Sequence, residues 1–229
     1  MMFLGHYAVA FAAKKASPKT SLGSLILAAQ LLDLLWPLFL LMGVEHVRID
    51  PGNTIVTPLD FYDYPISHSL LGAIVWSAIP GGLFLILWKK RQAAWVIAGC
   101  VLSHWILDFI VHRPDLPLGI GTEAYAGLGV WNSLAGTLVI ELGLFLAGLT
   151  VYLRTTQPKD RTGVTSFWGL VLFLLVIYFL NLFGPPPPGE MEIAIAANAA
   201  WLMVFWGYWI DRHRRPASAE TESFSIPPA

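Results

Sequence analysis

Charge is what this chain has least of. Only 13% of its 229 residues are Asp, Glu, Lys or Arg, against 56% hydrophobic residues. That is about half the charged share of an ordinary globular domain, too little to cover the surface of a soluble protein of this length. Cysteine is almost absent. Cys100 stands alone, which excludes an intrachain disulfide and a cysteine zinc site, and it reads as a small buried apolar residue. The net charge is −1 and no basic block is long enough to suggest nucleic acid, so no nucleic-acid partner is expected. Walker loops, dinucleotide fingerprints and nucleophile elbows are missing too. The opening residues lack the basic start of a signal peptide, since Lys14 and Lys15 follow the apolar stretch.

Long hydrophobic runs are what the chain has instead, and its mean hydropathy is +0.63. A bilayer core of roughly 30 Å needs about 20 apolar residues in a helix. Six segments meet this: Leu22 to Met42, Ser67 to Trp88, Ala93 to His112, Gly127 to Leu153, Phe167 to Phe183, and Ile193 to Ile210. Met2 to Ala13 is too short to span and reads as a half-depth helix forming a hairpin with the first span. The fold expected is all-α, a polytopic helical bundle over residues 1–212. Residues 213–229 read as a disordered cytoplasmic tail. The loop from Gly43 to Ile66 reads as long and irregular, a length often functional, and Pro185 to Pro188 as a stiff turn.

The connections alternate in charge. Lys14, Lys15 and Lys19, then Lys89, Lys90 and Arg91, then Arg154, Lys159 and Arg161, then Arg212, Arg214 and Arg215 occupy every second one. Basic connections mark the cytoplasmic side. The expectation is therefore an inner-membrane protein with both termini cytoplasmic and membrane lipids as its surroundings.

Ionisable residues inside such spans are costly and are functional candidates by default. Counting about 1.5 Å of rise per residue from the basic ends puts Asp33 and His104 roughly 18 Å along, Glu141 roughly 19 Å, Asp108 roughly 24 Å and His6 roughly 12 Å. These groups can share one layer, with His68 above it. They must face one another, a metal or a water-filled cavity. His104, Asp108 and His112 in SHWILDFIVH are four residues apart, so they lie on one helix face. That spacing suits a metal site and equally a histidine–carboxylate pair that fixes helix packing. His6 and Asp33 can pair across the N-terminal hairpin. Glu141 stands alone on an apolar helix, either as a general base or as an inert protonated acid. Asn132 is a candidate substrate contact or cap for the fourth span.

Four places in the chain resemble the YdjM-like family of membrane-bound metal-dependent hydrolases. They are Gly5-His6, Asp33 in LLDLLWP, Ser67-His68-Ser69-Leu70, and His104 with Asp108 in SHWILD. Together they cover roughly the first half of the chain. The family pattern often has P-D-x-D where this chain has Leu32 and a single Asp33. It has H-R-G where Asp63, Tyr64 and Pro65 stand, and threonine where Ser67 stands.

The resemblance implies metal-dependent hydrolysis. His6, Asp33, His68, His104 and Asp108 would be ligands or their immediate partners. The ion expected is zinc, or manganese. Glu141 or Asp63 would take a proton from the attacking water. An ester or phosphoester in a lipid-like substrate suits the depth. A small ion-coupled transporter and a noncatalytic assembly protein are the competing readings of the same polar layer.

Overall fold

The computed structural model describes residues 2–217. They form an all-α bundle. Five helical segments are long and apolar enough to cross a membrane: Leu70–Trp88, Arg91–Val111, Leu134–Thr155, Arg161–Phe183 and Glu190–His213. A bent pair, Leu22–Ala29 with Leu31–Leu41, makes a sixth if counted as one span. These are the features of a multi-pass membrane protein.

The chain begins with α1 (Leu4–Ala16), followed by α2 (Leu22–Ala29) and α3 (Leu31–Leu41). The single straight first span expected over Leu22 to Met42 is instead two helices bent by 57°. The break is at Gln30, whose φ of −100° and ψ of 4° leave the helical region. Ser21 opens α2 by accepting from Ser24 N. A short α4 (Pro65–His68) leads into α5 (Leu70–Trp88) and α6 (Arg91–Val111). Ser69 caps α5 by accepting from Gly72 N, and Lys89 closes it in the left-handed region. Then come α7 (Leu134–Thr155), α8 (Arg161–Phe183), α9 (Glu190–Ala197) and α10 (Ala200–His213). The fourth span starts later than Gly127, because Gly127 and Gly129 have φ of +155° and +72° and form a turn. Ser133, not Asn132, caps α7, accepting from Gly136 N.

The N-terminal helix is not peripheral. Leu4, Tyr7, Ala10 and Phe11 of α1 are buried, and α1 packs on α7, α2 and α6. Gly148 permits the closest approach. A Cβ there would collide with the Ala8 carbonyl, so α1 and α7 meet backbone to backbone, as small residues allow between apolar helices.

The connections at one end carry the basic residues. Lys14 Nζ bonds Asp211 (3.2 Å), Gln92 reaches the Ala16 carbonyl, and Lys159 reaches the Arg212 carbonyl. There Thr156–Pro158 pairs antiparallel with Arg214–Pro216. The tail expected from residue 213 is thus paired up to Pro216, and residues 218–229 lie outside the described residues.

The opposite end is a cover of loops. The stretch read as irregular contains a hairpin, β1 (His46–Ile49) with β2 (Leu59–Asp63). Val47, Ile49, Phe61 and Tyr62 suit strands, and Gly52 turns at φ +98°. Asp60 ties this hairpin to the chain after α6 by accepting from both Arg48 and Arg113. Val56 N bonds the Trp131 carbonyl, and Val47 N bonds Glu190.

Candidate metal centre

Four helices converge on one buried cluster. α1 brings His6, α3 brings Asp33 in its first turn, α4 ends with His68, and α6 supplies His104 and Asp108 one turn apart. All five are buried: Asp33 is 7% exposed and the other four 0%. His68 Nε2 lies 3.2 Å from Asp33 Oδ1 and 3.7 Å from Asp108 Oδ2. His104 Nε2 lies 3.2 Å from Asp33 Oδ1 and 3.3 Å from Asp108 Oδ2. One ligand atom from each of Asp33, His68, His104 and Asp108 falls within 4.8 Å of all the others.

His6 stands beside this group and faces the other oxygen of each carboxylate. Its Nε2 is 3.3 Å from Asp108 Oδ1 and 4.0 Å from Asp33 Oδ2. Its ring stacks on His104 with centroids 3.6 Å apart.

The protons on these rings follow from their outer partners. His104 Nδ1 is 2.8 Å from the Ala29 carbonyl, which can only accept, so Nδ1 carries the hydrogen and Nε2 presents a lone pair. Ala29 is the last residue of α2, so its carbonyl is among those that a helix end leaves free. His68 Nδ1 is 2.7 Å from Ser67 Oγ. That hydroxyl donates to Glu45 Oε2 at 2.6 Å. With its one hydrogen given to an ionised Glu45, Ser67 must accept from His68, so His68 Nε2 is bare as well. Glu45 Oε1 also accepts from Ile66 N and Ser67 N, each at 2.7 Å. Burial pushes the Glu45 carboxyl above the usual carboxylate range, against the opposing pull of these donors.

Two imidazole lone pairs and two carboxylates therefore point into one small volume, and all of them are acceptors. His104 Nε2 and Asp108 Oδ2 have no aligned hydrogen-bond partner among the described residues, although each is close to the opposite group. A divalent ion fits this set in chemistry and in size. Tetrahedral N and O ligands at about 2.1 Å stand roughly 3.4 Å apart, against the 3.2 to 3.7 Å found here. The outer contacts of His68 and His104 are those by which metal-ligating histidines are held.

Other residues singled out from the sequence lie elsewhere. Glu141 is buried at the N-terminus of α1, where its carboxylate accepts from Phe3 N (3.2 Å), Leu4 N (2.6 Å) and Gly5 N (3.2 Å). It holds the helix that carries His6, satisfying N–H groups that a helix start leaves open. Met2 N, beside them, donates to Asp108 Oδ1 at 2.8 Å. Asp63 ends β2 opposite His46 and does not join the cluster. His112, just past α6, is buried against Phe61, Tyr64 and Trp131. Its Nδ1 meets Asp115 at 2.9 Å, and burial holds its imidazole below the ordinary value. Glu45 and Ser67 carry no functional assignment in the sequence reading, where Ser67 enters only as part of the motif around His68. Their one signal was the serine directly before His68.

Comparison of the chain with protein-family models, with curated proteins and with solved structures gives no match.

Proposed function

We propose that the protein is a membrane-embedded, metal-dependent hydrolase of the YdjM-like kind, acting on an ester or phosphoester of a lipid-like substrate. The observation that carries this reading is the convergence of four acceptor side chains, Asp33, His68, His104 and Asp108, in one buried volume. His68 and His104 would hold the ion through Nε2, and Asp33 and Asp108 through their carboxylates. Zinc suits two imidazoles with two carboxylates, and manganese is the alternative. A divalent ion bound there lowers the pKa of water and polarises a carbonyl or phosphoryl oxygen.

The chain's own part is positional and protonic. Glu45, through Ser67, keeps His68 in the binding tautomer, and the Ala29 carbonyl does so for His104. His6 Nε2, 3.3 Å from Asp108 Oδ1, stands where it would take the proton released by an attacking water. The cover of loops shields the cluster from bulk water.

The basic connections gathered at one end support an inner-membrane location with that end, where α10 finishes, cytoplasmic. The site lies toward the opposite face, and the start of α1 lies buried beside it, with Met2 N on Asp108, rather than at the cytoplasmic surface as the sequence reading expects. Purified full-length protein is expected to carry close to one zinc or manganese per chain. His104→Gln and Asp108→Asn should abolish that content while His6→Gln keeps it. Metal-free wild type with the same thermal stability as His104→Gln would sink the reading.

A further inference from the structure

A cavity of about 790 Å³ lies between α1, α3, α8 and α9 under the loop cover. It is of the size that takes a small-molecule ligand. Asp33 forms part of its wall, so the cavity reaches the metal centre. Three features define what it would accept. First, among the described residues its ionisable carboxyl groups are Asp33, Glu141 and Glu192, and no Lys, Arg or His borders it. Second, two buried donors in its wall, Trp36 Nε1 and Tyr178 Oη, have no hydrogen-bond partner among the described residues. Trp36 sits three residues after Asp33, on the same face of α3. Third, Phe173 and Leu180 belong both to this wall and to the apolar outside of α8, where they are 38% and 60% exposed. The cavity thus joins the cluster to the lipid-facing surface.

We propose that this cavity binds a lipid-like molecule with one long apolar chain and an uncharged ester head, and that it discriminates against phosphate heads on the same chain. The charge count decides between the two heads. Asp33, Asp108 and a divalent ion sum to zero, and no cation remains to offset a phosphate, which proteins recognise with Arg or Lys. Burying an unpaired anion beside carboxylates is strongly unfavourable. An ester carbonyl, in contrast, is the acceptor that Trp36 and Tyr178 lack. The fate of the bound ester rests on the hydrolase reading. Water oxygen would bond to the carbonyl carbon, the carbon–alkoxy bond would break, and the proton would pass to the departing alkoxide, giving a carboxylic acid and an alcohol. Binding itself does not depend on that step.

The test uses the full chain in nanodiscs with two photoreactive probes. One is a monoacylglycerol with a diazirine in mid-chain, and the other is the lysophosphatidic acid of the same chain. Mapping of the crosslinks should place the ester probe on cavity residues such as Ile177. Labelling there should fall about tenfold in Ala200→Trp, which fills the space, and roughly two- to tenfold in Trp36→Phe, which removes only the donor. The phosphate probe should label the cavity at least about tenfold less. Crosslinks confined to outward residues such as Ile86 and Val139, both more than 70% exposed, would overturn the proposal. Equal cavity labelling by the two probes would overturn it as well. If Ala200→Trp fails to fold, Ile177→Trp serves the same purpose. Cavity labelling without metal-dependent release of fatty acid from unmodified monoacylglycerol would uphold the binding site and count against the hydrolase reading.

Discussion

Removing the Ser67 hydroxyl isolates one link between the loop cover and the metal centre. In Ser67→Ala, Glu45 keeps two of its three donors, from Ile66 N and Ser67 N. His68 loses the only acceptor its Nδ1 hydrogen has among the described residues, and the ring is no longer held to the tautomer that presents Nε2. A buried donor left unpaired costs about 1–3 kcal/mol. Loss of an outer partner of a metal-ligating histidine typically weakens metal binding about 10- to 100-fold, or roughly 1.4–2.7 kcal/mol. The two routes to the magnitude agree. Competition with a chromogenic zinc chelator in detergent micelles would measure it, beside thermal unfolding of the same samples.

The control sits two residues away. Ser69→Ala removes the cap of α5, where Ser69 Oγ accepts from Gly72 N at 2.9 Å. It should lower stability by about 1 kcal/mol and leave the metal Kd unchanged. Ser67→Thr should restore most of the affinity, since it returns the hydroxyl. Binding by Ser67→Ala within about twofold of wild type, or equal weakening in Ser69→Ala, would refute the tautomer argument.

Three further outcomes are expected. Glu141→Ala should lower the melting temperature sharply, because three backbone N–H groups lose their acceptor at a cost on the order of 3 kcal/mol or more, while Glu141→Gln should keep most of the stability; a stable Glu141→Gln protein devoid of turnover would instead make Glu141 the base. Gly148→Val should drive α1 off α7, costing roughly 1–3 kcal/mol or more and lowering the melting temperature, while bound metal, read by elemental analysis, is retained as in His6→Gln. Asp160 caps α8 and pairs with His213, and these partners hold its carboxyl below the usual range. Its contribution is therefore present above the ordinary Asp value and lost as pH falls through the depressed one, so thermal unfolding between about pH 6 and about pH 3 should show an acid loss that Asp160→Asn, which retains a cap, flattens.

The parts of this design that are local in sequence were legible there. Hydrophobic runs mark the spans because a helix must be apolar along its own length. His104 and Asp108 declared a shared face by their spacing alone. The pairing of His6 with Asp108, at 3.3 Å, is not visible in the sequence, which suggests His6 with Asp33. It depends on α1 lying inside the bundle, which depends on a glycine in α7. Glu45 looked like one loop acid among several, because only folding turns the stretch after α3 back against the N-terminus of α4. The β1–β2 hairpin left more of a trace. Pro51-Gly52 between two β-rich stretches is a turn signal, but it lay in a segment whose polarity suggested an irregular loop.

The least legible feature is also the one on which the site depends. No glycine or proline stands at Gln30, yet the first span breaks there, and two groups of the metal centre follow from that break. A continuous helix would engage the Ala29 carbonyl in its own ladder, whereas the break leaves it free to fix His104. The same break begins α3, so Asp33 falls in a first helical turn, where the macrodipole favours a carboxylate. Non-helical backbone within apolar surroundings is tolerated only where protein or a cavity covers it, and broken spans elsewhere build ion sites from their freed helix ends. Here the freed carbonyl is occupied by an imidazole, and Gln30 and Asp33 both border the cavity. The bend thus supplies the orientation of one ligand, the position of another and part of the wall toward which substrate would come.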